Sequence, residues 1–438
     1  MTPPAAESLR ERAIAVLRAN DRGGYTVPSA GLYPFQWNWD SCLVALGWAC
    51  FDEPRAWQEI ETLFAAQWPD GMVPHIVFHR DDPGYFPGPA VWATGRRPAS
   101  SGITQPPVAA SCVRWMLERA VDREAALAAV ARLFPRLLAW HAWFHRARDP
   151  EERGFVATVH PWETGMDNSP AWDAPLAAVV PAPDLAPYER RDLAHVDAAQ
   201  RPTRAEYDRY MTLVQLFREL AYDPAEMVAR SPFLVVDPGT NAILLRADRD
   251  LAQLARILGE KEAEARIGIW IARAEAALPR LLADPESGLW HAFDLRRECR
   301  IPARTHAGFL AFLAGLGDAR LAATLDHWVD TTRYALSSVP AGDPAFDRRR
   351  YWRGPVWPVA NLLIGRGAQE RGAEKAARRL RRDTAALIAG GGFREYFDPL
   401  SGEGLGGACF GWTAAVWLAW IDQPGRDRGP DDWSDPLK

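Results

Sequence analysis

The feature that most constrains the fold is an apolar periodicity typical of α-helices, which recurs along most of the chain. In residues 251–282, LAQLARILGEKEAEARIGIWIARAEAALPRLL, apolar residues recur at i, i+3, i+4 and i+7, the spacing that places them on one helical face. The same spacing predicts helices at residues 6–19, 41–50, 54–67, 107–120, 124–146, 204–221, 240–257, 261–283, 304–314, 318–333, 356–371, 373–389 and 410–421.

Strand-like stretches are few and short, which favours an all-α protein. They are MVPHIVF at 72–78, LLRAD at 244–248 and FREYF at 393–397. Short polar breaks at residues 259–261, 316–318 and 371–373 join many helices in pairs, as expected for antiparallel αα-hairpins. Six such hairpins closing into a double-layered ring fit the helix count. Because there is no Ser/Gly-rich linker, residues 1–438 are predicted to form a single domain.

Composition argues against several classes of protein. The net charge is −5 and no Lys/Arg-rich run is present, so neither nucleic acid nor a membrane surface is predicted as a partner. No apolar stretch approaches the roughly 20 residues of a membrane span, and the N-terminus lacks the apolar core of a secretory signal. The five cysteines are scattered without a C-x-x-C pair, which favours reduced thiols. We therefore expect a cytoplasmic protein, and a homo-oligomer is compatible with the sequence.

Long loops between the helices are the expected location of a functional site. They cover residues 68–105, 147–203, 284–303, 334–355 and 390–409, and long ordered loops in compact domains are usually functional. The chain also contains 20 tryptophans. Tryptophan stacks well on sugar rings, although most of these residues could simply fill the core.

Two loop segments carry carboxyl groups beside aromatic residues. HPWETGMDNSPAWD, residues 160–173, contains Glu163, Asp167 and Asp173. A carboxyl group kept dry by such neighbours holds a proton near neutral pH and can act as a general acid. The alternative is a turn in which Asp accepts backbone hydrogen bonds.

The second segment is GGGFREYFDPLSGEGLGG, residues 390–407, in which Glu395 lies in an extended stretch and Asp398 opens a turn. An ionised Glu at a strand end suits a general base, whereas the alternative is an ordinary surface strand.

Other motifs argue against a cofactor. The pairs His75/His79 and His141/His145 have i, i+4 spacing, but no third ligand completes a zinc motif. GEGLGG lacks the strand and helix of a dinucleotide site. Two carboxylates, abundant Trp and no cofactor motif together suggest hydrolysis of a glycosidic bond.

Seven segments in order give the chain a resemblance to a known family: YPFQWNWDS, QWPDGMVPHI, SGITQPPV, WETGMDNSPAWD, RPTRAEYDRY, YWRGPVWPVAN and FREYFDPLSGEGLGG. It resembles the bacterial mannosylglycerate and glucosylglycerate hydrolases in or near glycoside hydrolase family 63 and, more distantly, trehalases and processing α-glucosidases. The resemblance implies an (α/α)6 barrel and an inverting mechanism. The long loops are expected at one end of this barrel, and the motifs predict no cofactor. Asp167 would be the general acid and Glu395 the general base, with Glu163 and Asp398 as the respective alternatives.

The resemblance also implies a set of substrate-binding residues. Asp40 would accept hydrogen bonds from sugar hydroxyls, its alternative role being N-cap of a helix beginning at Ser41. Arg201 would bind a glycerate carboxylate, with Arg204 and Arg209 as competitors. The full set is Tyr33, Gln36, Trp37, Asn38, Trp39, Asp40, His75, Tyr85 on a mobile loop, Gln105, Trp162, Gly165, Arg201, Tyr351 and Trp352.

The predicted substrate is therefore a small-molecule glycoside. The expected reaction is hydrolysis of 2-O-α-mannosyl-D-glycerate, 2-O-α-glucosyl-D-glycerate or both to sugar plus glycerate. The alternatives are another α-glucosidase or trehalase-like activity, a non-catalytic sugar-binding protein and a polysaccharide lyase.

Overall fold

The computed structural model describes residues 8–423 and shows a predominantly helical protein. The α-helices are α1 Leu9–Asn20, α2 Asn38–Trp48, α3 Glu53–Ala65, α4 Pro89–Trp92, α5 Ala109–Arg119, α6 Arg123–Ala147, α7 Asp173–Ala177, α8 Asp192–His195, α9 Arg204–Glu219, α10 Pro224–Arg230, α11 Pro238–Leu258, α12 Lys261–Leu282, α13 Ala319–Trp328, α14 Pro358–Glu370, α15 Glu374–Gly391 and α16 Gly411–Val416. The 3-10 helices are Pro161–Thr164, Pro170–Trp172, Ala198–Gln200, His306–Ala311 and Tyr351–Arg353, and a π-helical turn covers Trp417–Ile421.

The strands form only small antiparallel sheets. β1 Gln36–Trp37, β2 Ile76–Phe78 and β3 Ala99–Ser100 form one sheet, and β4 Val235–Val236, β5 Phe293–Asp294 and β6 Cys299–Arg300 form another. β7 Arg394–Phe397 pairs with β8 Gly404–Ala408. The predicted strand at 393–397 is therefore confirmed as β7, and the last three residues of the predicted strand at 72–78 form β2. The strand-like stretch at 244–248 is helical, as the overlapping helix prediction at 240–257 requires, because those residues continue the buried face of α11.

Helical hairpins account for much of the packing, as the short polar breaks predict. α11 packs on α12, α14 on α15 and α2 on α3. Gly259 ends α11 with φ +78°, a left-handed conformation that glycine adopts without strain. Within residues 8–423 the predicted helices agree with the structure to within a few residues, with three exceptions: 304–314 forms the 3-10 helix His306–Ala311, 318–333 ends early at Trp328, and 410–421 continues from α16 into the π-helical turn. Residues 6 and 7 of the first predicted helix lie outside the described residues.

Helix α2 lies at the centre of the hydrophobic core. Every residue from Asn38 to Trp48 is buried, as expected for a helix that is surrounded on all sides. It contacts α3, α5 and α16, and buried apolar residues from Ala13 to Trp420 form one continuous cluster around it. Within residues 8–423, no helix is both long and apolar enough to cross a membrane.

The start of α2 corrects one prediction. The helix begins at Asn38 after an extended Trp37, three residues earlier than the predicted start at Ser41. Asp40 therefore lies inside the first turn and is not the N-cap. Its carboxyl group is available for another role.

Candidate active site

The long loops meet around a cavity that contains most of the predicted site. Its wall combines residues from the start of α2, the segments around β2 and α9, the 160–173 loop and the β7–β8 hairpin. The predicted residues in this wall are Tyr33, Trp37, Trp39, Asp40, His75, Tyr85, Gln105, Trp162, Gly165, Asp167, Arg201, Tyr351 and Glu395.

Asp167 is held in the wall by its backbone while its carboxyl group stays free. The Tyr210 hydroxyl donates to the Asp167 carbonyl oxygen at 2.6 Å, and the next residue, Asn168, donates from Nδ2 to Glu206 at 2.9 Å. Among the described residues, no other residue donates a hydrogen bond to the Asp167 carboxyl. Burial raises the pKa of Asp167 to about 7, and the charge of Arg201 partly opposes this increase. The carboxyl can therefore carry a proton near neutral pH.

Glu395 has the opposite arrangement, since its carboxylate is held directly. Oε1 accepts a hydrogen bond from the Tyr33 hydroxyl at 2.9 Å, and Oε2 accepts one from the Gly407 N–H at 2.9 Å. Nη1 of Arg201 lies 3.5 Å from Oε1. The Glu395 side chain is only 1% exposed. Donors on both oxygens and a nearby cation complement a negative charge.

Arg201 lies between Glu395 and a second carboxylate. Its Nε donates to Asp192 at 3.1 Å and its Nη2 donates to the Tyr33 hydroxyl. The guanidinium group also lies over the Tyr351 ring, 4.3 Å from the ring centre. This side of the cavity is therefore cationic, but its charge is partly balanced.

A second part of the wall, formed by Asp40, His75 and Gln105, is suited to a neutral polyhydroxy ligand. Gln105 accepts a hydrogen bond from the Trp39 N–H at 3.3 Å. His75 bonds Ser101 through Nδ1 at 2.8 Å, and burial lowers its pKa well below the usual range, so the ring is neutral. Burial and the charge of Glu395 raise the pKa of Asp40 well above its usual range.

Aromatic rings complete this wall. Trp162 stacks on His75 with ring centres 6.0 Å apart, and Tyr85 packs edge-on against Trp37 and Phe35. Flat apolar faces beside hydrogen-bonding groups are the combination that binds sugar rings.

Two glycines allow close packing around the catalytic candidates. A Cβ on Gly165 would lie 2.8 Å from the Trp39 ring, and one on Gly406 would lie 2.5 Å from the Glu395 carboxylate. Both also have positive φ, +69° and +65°. Any side chain at these positions would displace wall residues.

Comparisons with known proteins show which family the chain belongs to. A profile of the mannosylglycerate hydrolase MGH1-like glycoside hydrolase domain matches residues 33–413. The chain is 51% identical over 426 residues to mannosylglycerate hydrolase MGH2 of Selaginella moellendorffii, covering 96% of this chain and 86% of that protein. It is 50% identical over 416 residues to the mannosylglycerate hydrolase of Thermus thermophilus, covering 93% and 99%. The chain belongs to the MGH1-like glycoside hydrolases.

Further relatives of this glycoside hydrolase confirm the resemblance seen in the sequence. It is 38% identical over 437 residues to the glucosylglycerate hydrolase of Mycolicibacterium hassiacum, covering 94% of this chain and 97% of that protein. The crystal structure of the GH63 mannosylglycerate hydrolase from Thermus thermophilus in complex with Tris and D-glycerate matches with a TM-score of 0.91 and 50% identity, covering 94% of this chain and 100% of that chain. The non-catalytic alternative is therefore set aside.

Three predicted binding residues of this hydrolase do not line the cavity. Gln36 is fully buried and donates to Glu59, and Asn38 donates to the carbonyl groups of residues 73 and 74. Trp352 stacks on Trp357 with ring centres 3.6 Å apart. All three lie behind the residues that line the cavity. Gln36 and Asn38 form hydrogen bonds with other protein groups there, and Trp352 stacks on another ring.

The two alternative carboxylates have structural partners. Glu163 pairs with the buried Arg148 at 2.6 Å, and Asp398 accepts hydrogen bonds from the turn N–H of Leu400 and from Arg348. Neither lines the cavity. Asp173 forms an ion pair with Arg353.

The competing arginines also lie elsewhere. Arg204 pairs with Asp208 on the exposed side of α9, and Arg209 donates to a carbonyl group of the same helix. Of these three predicted arginines, only Arg201 lines the cavity.

Neither histidine pair forms a metal-binding cluster. His141 and His145 both bond Asp248, at 2.7 and 3.0 Å, whereas His79 bonds Gln36 at 2.7 Å. Within residues 8–423, no group of three or more His, Cys, Asp or Glu side chains could hold a metal ion.

Sequence reasoning missed several wall residues of the hydrolase. Arg190, Arg191 and Asp192 enter the wall from a segment with neither an aromatic cluster nor a motif, so no local signal indicated them. Tyr207, Phe410 and Trp412 also line the cavity. Tyr207 lies in the quoted RPTRAEYDRY motif, which could have indicated it.

Proposed function

We propose that this hydrolase cleaves 2-O-α-mannosyl-D-glycerate, 2-O-α-glucosyl-D-glycerate or both, with inversion at the anomeric carbon. The observation that carries the proposal is the contrast between two carboxyl groups in one cavity. Asp167 has a free carboxyl with a raised pKa, and Glu395 has a carboxylate bonded through both oxygens. Acid and base roles are commonly divided in this way between two carboxyl groups.

In the proposed reaction, Asp167 donates its proton to the glycosidic oxygen as the bond to the anomeric carbon breaks. Glu395 removes a proton from a water molecule, whose oxygen attacks the opposite face of the same carbon. The products are the free sugar and glycerate, and the two carboxyl groups exchange one proton each with solvent before the next cycle. An inverting site places these groups roughly 6.5–9.5 Å apart to leave room for the water.

We place the sugar ring against the neutral part of the wall. Asp40 and Gln105 would bond its hydroxyl groups, because both side chains reach the cavity without saturating their polar atoms on protein partners. Trp39, His75 and Trp162 would contact the ring faces and edges. The neutral state of His75 allows one ring nitrogen to accept or donate a hydroxyl hydrogen bond.

We place the glycerate carboxylate at Arg201. This proposal is supported by its position in the wall and by the fit of a planar guanidinium group to a carboxylate. Relatives with up to 51% identity are named mannosylglycerate hydrolases. Tyr85, whose loop carries glycines on both sides, would close over the ligand.

The fold proposed for residues 1–438 is a single (α/α)6 barrel with its catalytic loops at one end. The support is the packing of successive helices as hairpins around a continuous core. The chain also matches the neutral trehalase of Saccharomyces cerevisiae at 15% identity and a TM-score of 0.58. This match supports only the fold.

The test is a panel of α-glycosides monitored by NMR of the anomeric proton. We expect hydrolysis of the glycerate glycosides in preference to trehalose and other neutral disaccharides, with the β-anomer formed first. Equal or greater activity on a neutral disaccharide would contradict the substrate assignment. Initial release of the α-anomer would contradict inversion.

A matched variant sharpens the substrate assignment. Because Arg201 also contacts Glu395, its replacement would affect every substrate, so a ratio must be measured. We expect Arg201→Lys to lower kcat/KM for the glycerate glycoside about 10-fold more than for an α-glycoside with a neutral aglycone. An unchanged ratio would mean that Arg201 does not bind the aglycone.

A further inference from the structure

Asp192 is a carboxylate in the cavity wall that binds two guanidinium groups. It accepts hydrogen bonds from Nε and Nη2 of Arg190 at 3.1 and 2.6 Å, and from Nε of Arg201 at 3.1 Å. Burial opposes its ionisation, but the hydrogen bonds and charges of these two arginines lower the pKa of Asp192. It is therefore an anion at neutral pH.

Arg201 is shared between Asp192 and Glu395, and the sharing is unequal. Its Nε is bonded to Asp192 and its Nη2 to the Tyr33 hydroxyl. The remaining nitrogen, Nη1, is buried, makes no hydrogen bond and lies 3.5 Å from Glu395. The Tyr351 ring lies against the guanidinium group at 4.3 Å. These contacts keep Arg201 near Glu395 without a direct hydrogen bond to it.

We propose that Asp192 is a positioning residue that holds Arg201 back from Glu395. The inference rests on the proposed role of Glu395 as general base. Without Asp192, Nε loses its anionic acceptor and the guanidinium group is free to form a hydrogen-bonded ion pair with Glu395. A carboxylate engaged in such a pair is less able to take a proton from water.

The other groups around this pair do not replace Asp192. The hydroxyls of Tyr33, Tyr351 and Tyr396 face Arg201, and burial raises the pKa of each, so they remain neutral. Asp40, whose pKa burial raises well above its usual range, faces Glu395. The other facing groups are Asp167, which is near Arg201, and Arg190, which bonds Asp192. The hydroxyls of Tyr85 and Tyr207 also face Asp192, and burial raises the pKa of both, so they remain neutral.

Replacing Asp192 by a neutral residue should favour the ionised forms of both Asp167 and Glu395. The negative charge of Asp192 contributes to the raised pKa of Asp167, so its loss favours ionisation of the acid. A closer Arg201 favours ionisation of the base. The acid and basic limbs of the pH–rate profile therefore both move to lower pH.

The test is the pH–rate profile of Asp192→Asn from about pH 4 to about pH 9. We expect the acid limb to move down by about one pH unit and kcat at neutral pH to fall about 10-fold. A purely structural role for Asp192 would lower the rate and move only the basic limb, through the lost negative charge near Asp167. An acid limb at the wild-type position in folded Asp192→Asn would overturn the inference.

Two control variants distinguish the effect of the Asp192 charge from a disturbance of the segment around it. Asp192→Glu keeps the charge and should leave the acid limb near its wild-type position. Asp82→Asn removes the 2.8 Å ion pair of Asp82 with Arg191, which anchors the same segment without contacting Arg201. Its limbs should also stay in place.

The outcomes remain distinct from those of the proposed function. If Asp192→Asn does not fold, the test passes to Asp192→Glu, and an acid limb at lower pH in that variant, despite its retained charge, overturns the inference. If Asp192→Asn does fold, an equal shift of the acid limb in Asp82→Asn also overturns it. A wild-type protein that hydrolyses no α-glycoside would instead overturn the proposed function.

Discussion

The surroundings of Asp167 and Glu395 differ in how each side chain is positioned. Asp167 is positioned through its backbone, whose carbonyl oxygen accepts the Tyr210 hydroxyl, and its carboxyl group has no donor from another described residue. Glu395 is positioned through its carboxylate, which accepts hydrogen bonds from Tyr33 and the Gly407 N–H. When a side chain is anchored through its backbone, as Asp167 is, burial determines the proton affinity of its carboxyl group. When donors bond the carboxylate itself, as at Glu395, they favour its charged form.

The largest expected effect comes from replacing either carboxyl group by its amide. We expect Asp167→Asn and Glu395→Gln each to lower kcat for a glycerate glycoside about 10³-fold, because each removes one proton-transfer role. Steady-state rates with a melting curve for each variant provide the measurement. A folded amide variant with undiminished turnover would show that the residue is not part of the reaction.

The next effect concerns pH. Burial raises the pKa of Asp167 to about 7, and a general acid must be protonated, so kcat/KM, which reports the free enzyme, should fall about 10-fold per unit well above pH 7. The pH–rate profile of the wild-type protein measures this limb. A rate that stays constant from about pH 7 to about pH 9 would contradict the assignment.

The same raised pKa has a consequence for stability. Asp167 is partly shielded from solvent, so its ionisation costs free energy in the folded state. The favourable contribution of its protonated form is complete below the ordinary Asp pKa and is lost as the pH rises through about 7. Asp167→Asn should therefore melt at a higher temperature than the wild type at about pH 8, and the difference should shrink towards about pH 4. Calorimetry at the two pH values measures it. A variant less stable by the same amount at both would contradict the prediction.

A smaller effect is expected at the donor to Glu395. Tyr33→Phe removes the hydroxyl that bonds Oε1 and should lower kcat about 10-fold at low pH while moving the acid limb to higher pH. Tyr210→Phe is the matched control, because its hydroxyl bonds the Asp167 backbone instead. We expect the control to lower kcat with the acid limb in place. An acid limb that moves equally in both variants would remove the contrast.

The smallest effect is expected at Glu206, which anchors the Asp167 loop. Glu206 accepts hydrogen bonds from Asn168 at 2.9 Å and from Arg350 at 2.7 Å. Glu206→Gln should lower kcat a few-fold without changing the positions of the pH limbs, because it loosens the loop without touching either carboxyl group. The pH–rate profile checks this result, and a loss as large as that of Asp167→Asn would place Glu206 in the reaction itself.

Much of the fold could be predicted because helical periodicity is a local property of the sequence. The helix hairpins follow from apolar spacing and short polar breaks, as α11 and α12 illustrate. The strand-like stretch at residues 244–248 is helical because a short apolar run fits a buried helix equally well. The extra turn at the start of α2 was missed because Asn38 and Trp39 are held there by tertiary contacts with residues 73–75 and 105.

The candidate site was predictable only where local motifs carried the information. Asp167, Glu395 and Arg201 lie in quoted motifs, and the structure brings them to one cavity. Asp192 could not be identified because its importance depends on Arg190 and Arg201 converging in three dimensions. Gln36 lies in a motif as well, but its hydrogen bonds to Glu59 direct it away from the cavity.

The most direct test of the acid and base assignments uses the α-glycosyl fluoride of the preferred sugar as substrate. Fluoride is a leaving group that departs with little need for protonation. We expect Asp167→Asn to recover most of its lost activity on this substrate, whereas Glu395→Gln should stay as impaired as on the glycerate glycoside. Recovery of the Glu395 variant, or equal impairment of the Asp167 variant on both substrates, would contradict the division of acid and base between these two residues.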